Sequence, residues 1–319
     1  MEKTNLLNQI SVHCANDKIW NHIEVVRRLN QFQGQDINIT FLPEAIDLDK
    51  LGLYTLLDCF DFKSVTIHTH NPFSSHVKYN IEIQTDNEWL SQPVTVDETL
   101  HDWTGNRKFI ACYGRPAANR IGLASYLWQN HRTSSHIQFS AGYVNDSLEL
   151  YEFEKLLELR QQSAIDGIQM LPSMPLTIAP TAGYLHTHYE FNDPITNFYK
   201  DILIDIVSET HVTGQTFFVT EKTTRPMWLK KPFVMFASRD YLVYLRQLGF
   251  KTFYEFWDEE YDGYEDRDRF EQIIKLIDTL ASKSTQELTE MYQSMQSILD
   301  HNYNLLVNQT YTRTVKLIT

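Results

Sequence analysis

Residues 216–238 read TFFVTEKTTRPMWLKKPFVMFAS, and this stretch decides the fold class. The apolar run Phe217, Phe218 and Val219 predicts a short strand entering a turn at Glu221 and Lys222. Met227, Trp228 and Leu229 supply one apolar helix face, and after Pro232 the run FVMFA predicts a second strand. Strand, turn, helix and strand in that order are the repeating step of an α/β sheet, whose ligands bind at the turns following the strands. An acid beside a base at such a turn has a definite chemistry. The carboxylate accepts from sugar hydroxyls such as those of a ribose, and the ammonium meets a diphosphate.

The same alternation runs outward in both directions. In the first part of the chain QISVHCA (9–15) predicts a strand, and DKIWNHIEVVRRLNQF (17–32) a helix with Ile19, Ile23, Val26 and Leu29 along one face. The strand DINITFLPE follows, then a helix from about Asp47 to Phe60 carrying Leu48, Leu51 and Leu56, and the strand SVTIHTHN. This β-α-β-α-β order is half of a doubly wound sheet. Residues 77–105 are polar and irregular, with Pro93, Asp97, Asp102 and Gly105, and read as a connection. A new unit opens with the strand RKFIACYG, a turn at Arg115 and Pro116, and a helix from about Asn119 to Gln129. The expected division is therefore 1–105 and 106–319, two Rossmann-like domains of α/β class.

Further along, a Leu-rich helix is expected from Glu149 to Gln162, and the proline-bearing stretch 170–195 reads as a long connection. Asp193-Pro194 predicts a helix start, with the helix continuing through Ile195, Phe198, Ile202, Ile204 and Ile206 to Ser208. Arg239 to Leu248 predicts a helix capped by Gly249, and KTFYEFW a strand. Two helices close the chain, Asp266 to Ala281 and one beginning at Ser284, where Ser284 and Glu287 form a capping-box pattern.

Composition narrows the functional classes. With 28 basic against 41 acidic residues the formal charge is −13, which argues against a surface that tracks a phosphate backbone throughout, though not against a local basic patch. Cys14, Cys59 and Cys112 are odd in number and far apart, so three buried reduced thiols are expected rather than a disulfide framework or a zinc knuckle. The first residues lack the apolar core of a signal peptide, and no window approaches 18 uninterrupted apolar residues. A soluble, intracellular, cytoplasmic protein without membrane contact is the expectation. The N-x-S/T patterns at Asn38, Asn145 and Asn308 are then accidental.

Five groups of residues carry candidate chemistry. Ser208, Glu209 and Thr210 precede Thr220, Glu221, Lys222 and Arg225 closely enough in the chain to line one site. A Glu-Lys pair at a helix start is also common where nothing binds. In YGRPAANR (113–120) a glycine-containing turn leads into a helix, placing backbone N–H groups, Asn119, Arg115 and Arg120 at a positive helix end that suits a phosphate. Glu44, His68 and His70 fall near predicted carboxyl ends of strands, where a general base would face an acceptor. His186, His188 and Glu190 alternate but lack a third convincing metal ligand, and Asp266-Arg-Asp268 matches a D-x-D pattern yet opens a helix, where acids belong for electrostatic reasons. No metal is expected.

The order VSET, FFVTEKTTRPM, KKPFVMF and YLRQLGFKTF resembles the donor-binding half of the α1,3/4-fucosyltransferase-like glycosyltransferases. It is more similar still to a set of glycosyltransferases common in viruses of bacteria. The resemblance covers 107 to about 270 and does not reach residues 1–100. It implies a GT-B-like enzyme with a nucleotide-sugar as donor substrate and no other cofactor. The first domain would hold the acceptor, the second the donor, and the last helices would fold back to brace the cleft. Glu221 would hold the donor's ribose, Lys222 its diphosphate with Arg115 and Arg120, and Glu209 takes the place of the acid that precedes the motif. The acceptor stays open between a glycan, a lipid-linked sugar, a protein and a modified base in DNA.

Overall fold

The computed structural model describes residues 8–15, 18–19, 21–84, 90, 96, 98–105, 107–114, 117–139, 150–173, 176 and 195–316. The chain divides into two compact α/β units. One comprises Met1–Asn87 with Thr213–Phe218 and Arg313–Thr319, the other Glu88–Val212 with Val219–Thr312. The segment expected as an interdomain connection instead contributes to both. Asn80–Ile83 forms a strand of the first unit, while Leu100 packs with Ile110, Cys112, Tyr199 and Leu229 in the second.

The first unit is built on strands β1 (Gln9–Ala15), β2 (Lys18–Ile19), β3 (Asp36–Pro43), β4 (Ser64–Thr69) and β5 (Asn80–Ile83), in the order β2-β1-β3-β4-β5. All neighbours are parallel except the β1–β2 hairpin. The register places Ile10 beside Ile39, Ile39 beside Ile67 and Ile67 beside Ile81, a row of β-branched side chains across four strands. Helix α1 (His22–Gln31) covers this core with Val25 and Leu29, followed by Phe32. Ile23, 75% exposed, and Val26 lie on the outer side, contrary to the face counted from Ile19. Ile19 belongs to β2, so a period begun there has the wrong phase. Helix α2 (Leu53–Leu57) is one short stretch of the longer helix expected over 47–60.

In the second unit β6 (Phe109–Tyr113), β7 (Ser135–Phe139), β8 (Ile204–Ser208) and β9 (Phe233–Phe236) form a wholly parallel sheet ordered β7-β6-β8-β9. Every residue of β6, β8 and β9 is buried, as a sheet covered on both faces requires. Its helices are α3 (Ala118–Asn130), α4 (Leu150–Leu159), α5 (Gln161–Met170), α6 (Glu221–Trp228), α7 (Tyr241–Gln247), α8 (Asp266–Ser282) and α9 (Thr285–Asn308). The capping box of Ser284 and Glu287 is formed, and Gly249 follows α7 at φ +102°. Helix α9 returns against α6, with the Tyr303 ring 5.8 Å from Trp228 and Asp300 2.8 Å from Lys230.

Four further expectations fail. The helix expected to run to Ser208 is a 3-10 turn (Thr196–Asp201) followed by β8, because Ile202, Ile204 and Ile206 alternate at period two and are all buried. TFFV forms no strand; Phe217 and Val219 are buried and Phe218 half-buried, without a ladder. KTFYEFW is a turn whose Phe253 ring packs 5.0 Å from Phe233. The thiols also differ from expectation, since Cys59 is exposed and only Cys112 is shown buried.

Candidate functional site

The order β7-β6-β8-β9 reverses direction between β6 and β8, since the chain leaves β6 toward one edge and β8 toward the other. Sheets of this kind bind ligands outside the carboxyl ends of the strands at that reversal. Here the two strands pair only at Phe109↔Ile204 and Ile110↔Asp205, whereas β6 and β7 pair from Phe109 to Tyr113. Beyond Asp205 the Tyr113 hydroxyl donates to the Ile206 carbonyl at 2.9 Å in place of a ladder bond. The reversal is thus opened toward its carboxyl end. Asn119, in the first turn of α3, closes it from one side by donating to Ser208 Oγ at 2.7 Å and to the Glu209 carbonyl at 3.3 Å. Arg120 reaches the same carbonyl at 3.5 Å.

Glu209 is the hub of the site. Its carboxylate is 1% exposed and accepts from the Thr223 hydroxyl at 2.5 Å, the Thr220 hydroxyl at 2.7 Å and the Thr210 N–H at 3.1 Å. Tyr241 adds a longer bond at 3.4 Å and is 2.8 Å from Thr223 Oγ1. Burial, followed by the charge of Glu209, pushes the Tyr241 phenol well above its usual range, so it remains a donor. A buried carboxylate is tolerated only when its lone pairs are engaged in this way. The arrangement makes Glu209 a positioning group. It joins the end of β8 to the start of α6 rather than facing a ligand.

At the surface of that hub lie Thr210, Glu221 and Lys222. Thr220 caps α6, its hydroxyl accepting from the Lys222 N–H at 3.3 Å. The Lys222 ammonium contacts Glu221 at 2.8 Å, Thr220 Oγ1 at 3.1 Å and Thr210 Oγ1 at 3.2 Å, which engages all three of its protons. Burial alone would raise the Glu221 carboxyl, but Lys222 and then Arg225 bring it down to about 2. Arg225 points inward instead. Its guanidinium lies 3.5 Å from Asp205, which also accepts from the Tyr199 hydroxyl at 2.5 Å. Burial raises the Asp205 carboxyl against the pull of Arg225.

The remaining sequence candidates divide. Arg115, His186, His188 and Glu190 lie outside the described residues. In the first unit, His68 Nδ1 is 3.1 Å from Glu82 on β5, His70 follows β4 with its ring 6.1 Å from Phe218, and Glu44 is half-buried after β3. Asp266 opens α8 and binds Arg269 at 2.6 Å. Thr223, Asp205, Tyr199 and Tyr241 were missed. The T-x-x-T spacing of Thr220 and Thr223 at a helix start is a signal that was present; the partners from β8 and α7 leave no local pattern. No protein-family model matches the chain, and no curated protein matches its sequence.

Among the described residues, no group of histidine, cysteine and acidic side chains is arranged to hold a metal ion. Nor is any helix among them long and apolar enough to cross a membrane.

Proposed function

We propose that the chain is a glycosyltransferase of GT-B-like type, in which the second unit binds a nucleotide-sugar donor and the first an acceptor. The observation that carries this reading is the placement of Lys222, at the amino end of α6, against Thr210, immediately beyond β8 at the reversal of the sheet. A diphosphate arriving there meets an ammonium and a positive helix end, and displaces the Glu221 carboxylate from Lys222. Glu221 is then released to accept from ribose hydroxyls. In transfer, the acceptor oxygen bonds to the anomeric carbon, the bond from that carbon to the diphosphate breaks, and the acceptor proton passes to a base. Glu44, His68 and His70 are the candidate bases, and Lys222 with Arg115 stabilises charge on the departing diphosphate.

A thermal-shift screen against nucleoside diphosphates and their sugars tests the donor half. A ligand that binds only the folded chain raises its melting temperature. One base should protect selectively, and its nucleotide-sugar should be consumed when acceptors are supplied. A screen in which no nucleoside diphosphate protects the chain removes the reading. Protection without turnover across glycan, protein and modified-DNA acceptors favours a binding module.

A further inference from the structure

The first unit contains a cavity of about 510 Å³ that none of the candidate site residues above lines. It sits among the segments that follow β3 and β4, joined by Gly214 and Gln215, and so beyond the carboxyl ends of parallel strands. Its frame is fixed by polar contacts. Asn71 donates to the carbonyls of Ile46 at 3.1 Å and Gln215 at 2.8 Å. Asp47 accepts from the N–H groups of Asp49 and Lys50 at 3.1 Å each and from that of Gln215 at 2.9 Å. Gly214 has φ +77°, and a Cβ there would lie 2.8 Å from Asp47 Oδ2.

Within this frame two buried hydroxyls have no hydrogen-bond partner. Tyr54 is 7% exposed, its hydroxyl is buried without a partner, and it lies near Asp49 and Asp47. Burial and those two carboxylates push its phenol up to about 12, which keeps the proton on it. The Ser74 hydroxyl is likewise buried and unpartnered. The His76 ring is stacked on Tyr54 at 4.3 Å and on Tyr79 at 4.7 Å. Its Nδ1 accepts from the Lys78 N–H at 3.2 Å, so the neutral ring carries its proton on Nε2. Leaving buried hydroxyls unmatched is costly, and a partner that both donates and accepts removes the cost.

We infer that this cavity is a binding site for a neutral polyhydroxylated group, the hydroxyl face of a sugar. Tyr54 and Ser74 each donate to and accept from sugar hydroxyls, His76 donates, and Asp49 accepts. The carboxylates of Asp47 and Asp49 at its wall repel phosphate, which separates this site by charge from the ammonium at Lys222. Only the role of the ligand as acceptor rests on the glycosyltransferase reading; its chemistry rests on the cavity.

The test uses the full chain, a panel of methyl hexopyranosides as probes, and ligand-observed NMR. At least one glycoside should bind the wild-type protein. Tyr54→Phe should weaken it roughly three- to ten-fold, the loss of one hydrogen bond, and the Tyr54→Phe/Ser74→Ala double variant more. Neither variant should lower the melting temperature without ligand, because each removes an unmatched hydroxyl. Protection by nucleoside diphosphates should be unchanged in both. Binding of no glycoside, equal binding to the double variant, or binding of phosphorylated sugars alone overturns the inference. Loss of nucleoside diphosphate binding in the wild type, with the glycoside result intact, removes the donor reading and leaves this site standing.

Discussion

The two units differ most in what they bury. Among the described residues the first unit buries no acid, lysine or arginine; its buried polar groups are uncharged, among them Thr40, Thr69, Asn71, Thr216 and the hydroxyls of Tyr54 and Ser74. The second buries Arg120, Asp166, Asp205, Glu209, Arg225, Lys231, Glu259, Asp262 and Arg269. The difference follows from topology. In the first sheet β2 is a hairpin on one side of β1, and the parallel strands β3, β4 and β5 are added in sequence on the other, so the apolar row from Ile10 to Ile81 runs unbroken. The second sheet reverses at β6 and β8, the ladder stops after Asp205, and charged groups fill the opened seam. Buried charge fixes geometry there and makes the unit sensitive to any loss of a partner.

The largest effect should come from breaking the seam. Asp205→Ala leaves Arg225 buried without its carboxylate and should destabilise the second unit by about 3–5 kcal/mol in urea unfolding. Of the six tryptophans only Trp20 belongs to the first unit, so in a Trp20→Phe background the signal reports on the second. Replacing both partners, Asp205→Leu with Arg225→Met, should recover most of the loss. An unaltered unfolding midpoint in Asp205→Ala would mean that the pair does not hold the seam.

A pH dependence distinguishes the units next. Lys231 is fully buried, donates to the carbonyls of His101 and Asp102, and is brought down to about 7 by burial. The unfolded chain keeps this proton up to about pH 10.4. Between pH 7 and 10 it therefore binds more protons than the native state, and the Lys231 contribution makes stability rise with pH. Asp262, raised to about 7 mainly by burial, acts oppositely, with stability falling from about pH 4 to 7. Lys231→Met should add ~2–4 kcal/mol at pH 7 and remove the upper limb; denaturant titrations at pH 7 and 9 measure both.

Two smaller substitutions probe each unit locally. Gly214→Ala forces a side chain into left-handed backbone against Asp47 and should cost about 1–2 kcal/mol, with glycoside binding impaired in parallel. Ser284→Ala removes the capping box of α9 and should cost about 1 kcal/mol in the second unit alone, read from the same tryptophan signal.

Legibility in the sequence tracked these differences. FIACY and FVMF were read as strands because continuous apolar runs bounded by turn residues mark a parallel strand buried on both faces. The helix start at Glu221 and Lys222 was also legible, since Thr220 caps α6, although the strand expected to lead into it is absent. β5 was invisible because NIEI is an edge strand with no buried alternation. TFFV misled because an apolar run records burial, and here Phe217 and Val219 are buried in different units without pairing. Glu209 was found, yet its role was not, because its partners Thr223 and Tyr241 come from separate helices. The cavity at Tyr54 left no sequence signal at all. An unmatched hydroxyl is a property of packing, not of pattern.

Under the proposed function, Lys222 at the reversal of the second sheet receives a diphosphate. Calorimetric titration of nucleoside diphosphates into the wild-type chain and Lys222→Ala tests it directly. One binding site per chain is expected, weakened by roughly ten-fold or more in the variant through loss of a charge-assisted contact. Equal affinity in the two proteins would contradict it.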